Sequence, residues 1–185
     1  HKLGEVVEFR SADASTHVQR VSQITNVLCG FLGWSEEDLN NITLASVLHD
    51  LGKISISDDI LYKPAKLNAE EFAKIIDHTT VGFNLLCSSS QSVLQLAATI
   101  ALEHHEKWDG TGYPHGKKGK NIAIHARIVS IADVYDALRS KRSYKQAWNR
   151  KEAFDYILSE RGQQFDPLIV DCFAKCESDI NSLFE

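Results

Sequence analysis

Apolar residues recur at helical spacing along almost the whole chain, and no segment alternates strongly enough to build a sheet. Val18, Val21, Ile24, Leu28, Phe31 and Leu32 mark one such stripe, with Gly30 and Gly33 expected to end it. Ser35 with Asp38 has the form of a capping box, opening a helix through Leu39, Ile42, Ala45 and Val47 towards His49. Asn68 with Glu71 and Asn149 with Glu152 repeat that form, and Asn is a favoured N-cap. Gly162 after Arg161 suits a helix C-terminus, and Asp166-Pro167 a cap followed by proline at the first helical position. Only Ile54-Ser55-Ile56-Ser57 reads as extended, and it has no neighbour to pair with. Two loops stand out: Gly52 to Lys66, and a stretch in which Gly110, Gly112, Gly116 and Gly119 with Pro114 stop any helix. The expectation is one all-α domain, a helical bundle of about seven or eight helices spanning residues 1–185.

Composition narrows the function. With 43% hydrophobic and 24% charged residues the chain is an ordinary globular protein rather than a disordered one. It has no apolar run of about 20 residues to span a bilayer and no apolar block of a secretory signal at its start. A net charge of -5 argues against a nucleic-acid polymer as partner. It leaves room for a small phosphorylated substrate, provided bound cations supply the positive field. The chain opens on His1 and contains no Met, so it is expected to come from a longer protein with a preceding sensor or receiver domain. Cys29, Cys87, Cys172 and Cys176 form no CxxC pair. They read as buried thiols in a reducing cytoplasm rather than zinc ligands or disulfides.

Five histidines, His17, His49, His78, His104 and His105, adjoin apolar helical stretches. An inward histidine is by itself more often a hydrogen-bonded core residue than a ligand. Neighbouring acids bear on that choice. His49-Asp50 offers imidazole and carboxylate in one step, and Asp133 lies in Ile131-Ala132-Asp133-Val134, where an unpaired charge is costly. Asp136, one turn later, either supports this group, caps or faces solvent. Imidazole with carboxylate suits Fe, Mn, Ni or Zn better than Mg or Ca, and such ligands on separate helices converge in a bundle core. Count and spacing leave both the core reading and the metal reading open.

The ordered set of motifs carries more. His49-Asp50-Leu51-Gly52-Lys53 resembles the HDxGK core of HD-domain phosphohydrolases. His104-His105-Glu106-Lys107-Trp108-Asp109-Gly110-Thr111-Gly112-Tyr113-Pro114 is similar to the HHExxDGxGYP segment of the HD-GYP family. Ile60-Leu61-Tyr62-Lys63-Pro64, His78-Thr79-Thr80-Val81-Gly82, Asp133-Val134-Tyr135-Asp136-Ala137-Leu138 and Phe165-Asp166-Pro167 resemble its ILxKP, HTxxG, DVFDAL and FDP pieces. The resemblance implies an all-α HD domain that hydrolyses cyclic di-GMP to linear pGpG or on to GMP, or a related cyclic dinucleotide such as cyclic GMP-AMP. It implies metal ligands at His17, His49, Asp50, His78, His104, His105 and Asp133, with Asp50 bridging two divalent ions, iron or manganese before nickel or zinc. Asp13 stands where members with a third metal carry Glu; one methylene shorter, it disfavours that third ion.

General chemistry then has two cations generate a bridging hydroxide and clamp the phosphate. Asp50 and Lys53 take the catalytic positions, while Lys53, Tyr113, Arg142 and Lys145 take those that contact substrate. His1, His115 and His125 match no ligand position. Ala123 and Ser143 replace prolines common in the family, which bears on loop stiffness. A regulatory domain and diguanylate cyclase-type proteins are the implied partners. Two other classes compete. A nucleoside-phosphate hydrolase of the wider HD superfamily would not need Gly112-Tyr113-Pro114, and a non-catalytic cyclic-dinucleotide receptor would not need every metal ligand.

Overall fold

A computed structural model describes residues 14–140 and 146–184. Among these the architecture is helical: α1 (Ala14–Phe31), α2 (Glu36–Ser46), the single turn α3 (Asp58–Leu61), α4 (Ala69–Ile76), α5 (His78–Leu86), α6 (Ser92–Glu103), α7 (Ile124–Arg139), α8 (Arg150–Ser159) and α9 (Pro167–Asn181). Eight of the nine exceed a single turn, as expected for an all-α bundle, and the only β pairing among the described residues is an isolated bridge between Arg161 and Phe165. No helix among them is long and apolar enough to cross a membrane.

Local chemistry sets most helix starts. Ser35 accepts a hydrogen bond from the Asp38 N–H, and both Asn68 with Glu71 and Asn149 with Glu152 form full capping boxes. Asp166 caps α9 through the Leu168 N–H, with Pro167 at the first turn. Two expectations differ. Gly30 lies inside α1, on an exposed face where a Cβ would meet nothing within 4 Å, so the helix runs through it to Phe31; Gly33 (φ 78°) follows the end. Ile54–Ser57 is not a strand: Leu51–Ser55 forms a 3₁₀ turn whose bonds from Lys53 N–H to Asp50 C=O and from Ile56 N–H to Lys53 C=O satisfy the backbone locally. The expected Gly52–Lys66 loop thus holds that turn and α3.

The core is one cluster. Val21, Ile24 and Leu28 of α1 meet Ile42 and Ala45 of α2, Ile128 and Ile131 of α7, and Ile169 and Phe173 of α9. α1 packs against all three of those helices, and α6 packs against α2, α5 and α7. Cys29, Cys172 and Cys176 are buried free thiols, as expected; Cys87 is exposed, because it follows the end of α5.

One backbone crossing positions the site. Gly52 lies so close to the start of α5 that a Cβ there would sit 1.8 Å from the His78 carbonyl oxygen and 2.6 Å from the Gly82 nitrogen. The His49-Asp50 turn and His78 are thereby pressed together. Gly52→Ala is expected to lower stability by about 1–3 kcal/mol, since both obstacles are backbone. Gly30→Ala, in open space on a helix, is expected to raise it by up to about 1 kcal/mol. Urea denaturation of both variants against the parent measures the two signs; equal effects would mean that the crossing is not tight.

Candidate metal centre

The helices deliver their imidazoles and carboxylates to one point. α2 stops at Ser46, and the chain turns through residues 47–50 to bring His49 and Asp50 inward, both buried. His78 opens α5, His104 caps the end of α6 with His105 beside it, and α1 and α7 contribute His17 and Asp133. The ligand atoms fall into two groups, each with all members within 4.8 Å of one another: Asp50, His78, His104 and His105; and His17, His49 and Asp133. The structure therefore brings together all seven residues singled out in the sequence.

Hydrogen bonds fix how the rings face. His49 Nδ1 lies 2.8 Å from the Ser46 carbonyl, and His104 Nδ1 3.0 Å and 3.1 Å from the Ile100 and Ala101 carbonyls. His78 Nδ1 bonds the Ile75 carbonyl, and His17 Nδ1 lies 2.6 Å from an Asp136 carboxylate oxygen. A carbonyl can only accept, so Nδ1 of His49, His78 and His104 carries a proton, which leaves Nε2 as the nitrogen that faces inward and is free to ligate. Those three Nε2 atoms and Asp50 Oδ1 are buried without a hydrogen-bond partner. Orphaned polar atoms of this kind are rare in folded proteins and call for an ion or water.

Distances support an ion. His78 Nε2 and His104 Nε2 lie 3.3 Å and 3.7 Å from Asp50 Oδ1, His49 Nε2 lies 3.4 Å from Asp50 Oδ2, and His17 Nε2 lies 3.4 Å from Asp133 Oδ1. Two donors each about 2.1 Å from a common tetrahedral ion are about 3.4 Å apart. The residues present fit divalent metal binding, and an imidazole–carboxylate donor set suits transition metals.

Electrostatics point the same way. Burial opposes charge on His104 and His105 and lowers both, so these rings stay neutral and available as donors. Burial would raise Asp50, but Lys53 and His49 outweigh it and hold the carboxylate ionised. Asp133 is likewise held low against burial by His17 and His49. His17, opposed by burial but bonded to Asp133 and Asp136, is pushed up to about 10. His49, opposed by burial, is drawn up by Asp50 and Asp133, so the two buried carboxylates attract positive charge even from the imidazoles beside them, as a site for cations does.

The setting of His17 includes residues the sequence left undefined. Asp136 is fully buried and bonds Arg20 Nε as well as His17, while Arg20 Nη2 reaches Ser140 Oγ at 2.6 Å. Of the three roles open to Asp136, support of the cluster is the one observed. Arg20 was missed because its partner is 116 positions away.

The glycine-rich loop between α6 and α7 is held by two buried acids that had been given no role. Glu106 accepts the backbone N–H groups of His115 (2.8 Å) and Lys117 (2.9 Å). Glu103 accepts from Lys117 Nζ (2.5 Å) and from the Ala123 N–H (2.7 Å), a bond that a proline at 123 could not make. Tyr113, whose peptide bond to Pro114 is cis, lays its ring 4.8 Å from that of His105, and burial pushes its hydroxyl up. Lys53 Nζ bonds Asp50 Oδ2 and is one-third exposed beside the cluster. Arg142, Lys145, Asp13 and Ser143 lie outside the described residues. His125 packs edge-on against Trp34, away from the centre.

This fold and site define a helical domain built around a candidate metal centre. Residues 3–169 match the family model described as HD domain. The chain is 40% identical over 182 residues to the cyclic di-GMP phosphodiesterase response regulator RpfG of Xanthomonas campestris pv. campestris, covering 98% of this chain and 48% of that protein. It is 42% identical to a cyclic di-GMP phosphodiesterase of Thermotoga maritima (98% and 50% covered) and 42% identical to the 3'3'-cGAMP-specific phosphodiesterase 2 of Vibrio cholerae (92% and 33%). The chain thus spans at most half the length of these relatives. Its fold matches a solved cyclic GMP-AMP specific phosphodiesterase of V. cholerae, V-cGAP3, with a TM-score of 0.69 at 19% identity, covering 96% of this chain and 46% of that one. The chain belongs to the HD domain family, and within it to the HD-GYP type.

Glu106→Gln keeps shape but leaves one of the two loop N–H groups facing an amide NH₂. A cost of about 1–3 kcal/mol is expected. Amide hydrogen exchange should show faster exchange at His115 and Lys117, with helix α1 unchanged; unaltered exchange would mean that the loop is held by other contacts.

Proposed function

We propose that this domain is a metal-dependent phosphodiesterase acting on a cyclic dinucleotide, cyclic di-GMP or 3'3'-cGAMP. The observation that carries the reading is the set of buried, partnerless Nε2 atoms of His49, His78 and His104 around Asp50 Oδ1. A receptor that only bound nucleotide would bear their desolvation cost with no return. The names of the relatives supply the substrate class.

In this reading two divalent ions, iron or manganese, would be held by Asp50, His78, His104 and His105 on one side and His17, His49 and Asp133 on the other. Asp50 would be the residue shared between the two groups, because its two oxygens face different imidazoles: Oδ1 faces His78 and His104, and Oδ2 faces His49. Such ions supply Lewis-acid polarisation of the phosphate and an acidified water. The chain's own residues do the rest. Lys53 offers an ammonium at the cluster's open edge to neutralise a non-bridging phosphate oxygen, and Asp50 holds that ammonium in place. Tyr113 closes one wall over His105 and keeps bulk water from that side. Arg142 and Lys145 carry the second phosphodiester. Hydrolysis breaks one P–O3′ bond, water giving its hydroxyl to phosphorus and a proton to the 3′ oxygen. No role is assigned to Asp13 in this two-ion reading.

The test is hydrolysis of cyclic di-GMP and 3'3'-cGAMP by protein reconstituted anaerobically with Fe(II) or Mn(II), with bound metal quantified on the same sample. Turnover of at least one is expected, with about two ions per chain. Asp50→Ala is expected to lose both metal and turnover; full activity in that variant would refute the mechanism. No turnover by the two-ion protein would favour the receptor.

Asp136→Asn separates support from ligation. It removes the charge that orients His17 and is expected to weaken metal binding about 10–100-fold without abolishing it. Metal titration measures the loss; unchanged affinity would mean that His17 needs no such support.

A further inference from the structure

Helix α4 presents a feature that neither core packing nor the metal centre explains. Its eight residues Ala69–Ile76 contain no buried side chain, and Phe72 is 48% exposed. The helix is nevertheless firmly set. Asn68 and Glu71 close a capping box at its start, and Lys63 Nζ grips both oxygens of Glu71 at 2.7 Å and 2.8 Å. Glu71 is the neighbour of Phe72, so the backbone that carries the ring is fixed from two directions. The Phe72 ring stands edge-on to Tyr113, with centroids 6.3 Å apart and planes at 81°. Tyr113 in turn lies tilted over His105, 4.8 Å away. A short aromatic shelf therefore runs outward from the metal centre, from His105 to Tyr113 to Phe72, with its outer ring half in water.

We propose that Phe72 is a substrate-positioning residue, whose exposed face stacks against a purine base of the cyclic dinucleotide while a phosphodiester sits at the metal centre. An isolated exposed apolar side chain would need no explanation. This one is pinned at the end of a ring series that begins at a candidate metal ligand. A nucleotide places a flat π-face one sugar away from its phosphate, and stacking on an aromatic ring tolerates guanine and adenine alike. Phe72 has no group that could act on the phosphate, so its contribution belongs to binding rather than to the chemical step. The inference rests on the phosphodiesterase reading above.

The experiment compares the parent, Phe72→Ala and Phe72→Tyr, each reconstituted with Mn(II) and with bound metal quantified. Substrates are cyclic di-GMP, 3'3'-cGAMP and bis(4-nitrophenyl) phosphate, a phosphodiester with neither sugar nor nucleobase, whose rings lie one oxygen from the phosphorus. Phe72→Ala is expected to raise KM for the cyclic dinucleotide about ten- to thirtyfold, within the range for loss of one stacked base. Its kcat, metal content and bis(4-nitrophenyl) phosphate hydrolysis should stay within about twofold of the parent, and Phe72→Tyr should restore KM. An unchanged KM in Phe72→Ala overturns the inference and leaves the phosphodiesterase intact. So does an equal loss on all substrates, which would make Phe72 a merely structural support. If the parent hydrolyses bis(4-nitrophenyl) phosphate but neither cyclic dinucleotide, the substrate reading itself falls and this inference with it.

Discussion

Three of the imidazoles at the centre are anchored in the same way. Nδ1 of His49, His78 and His104 bonds a carbonyl in the last turn of a preceding helix: Ser46 of α2, Ile75 of α4, and Ile100 and Ala101 of α6. Those carbonyls lie in the last turn, where side chains can reach backbone acceptors. Ser46, Ile75 and Ile100 already accept a backbone N–H there, so the ring bond takes a carbonyl's second lone pair and fixes the nitrogen that turns inward, Nε2. The three helix ends also bring their partial negative charge towards one point. Helices that ended elsewhere would leave the rings free to rotate and the centre without its shape.

His17 lies in the first turn of α1, and its Nδ1 partner is not a carbonyl at a helix C-terminus. A buried carboxylate, Asp136, takes the place of the carbonyl, and that carboxylate then needs its own charge partner. Arg20, one turn along from His17, supplies it and reaches on to Ser140 at the end of α7. A centre of this kind therefore has a rigid half, built from backbone carbonyls, and a half whose geometry depends on a charged side-chain chain. Asp133 joins the two halves, 3.4 Å from His17 and 4.0 Å from His49, and Asp50 lies among the carbonyl-anchored rings, one oxygen facing His49 and the other His78. Gly52, two residues on, lets the turn that bears Asp50 press directly against the backbone of α5.

What was legible in the sequence was what is local. Asn68, Asn149 and Asp166 act as caps because the bonds they make lie within three residues, and the motif residues converge because the family pattern encodes their order. Gly30 misled because a glycine stops a helix only where the chain needs an unusual backbone or a close approach, and here it needs neither. The Ile54-Ser55-Ile56-Ser57 alternation misled because Ile56 is buried while Ile54 is exposed, so the two isoleucines do not share a face. Arg20 with Asp136, and Ala123 with Glu103, were invisible for the opposite reason: each pairing joins distant segments, and nothing in either segment names the other. Phe72 belongs to the same class, since only the folded chain sets it beside Tyr113.

The departure at Ala123 shows how the two sides of the shelf are independently secured. The loop that carries Tyr113 hangs on Glu103 and Glu106, buried acids whose partners are backbone N–H groups and Lys117. With Ala123 supplying an N–H that proline lacks, the stiffness of a proline is exchanged for a charge-assisted hydrogen bond. Phe72 is secured by a different pair, Lys63 with Glu71, on a helix that contributes no buried side chain. Neither clamp includes one of the seven candidate ligands. The outer end of the aromatic wall and the candidate metal centre therefore have separate supports, so a change at Phe72 leaves the hydrogen bonds that orient the candidate ligands in place.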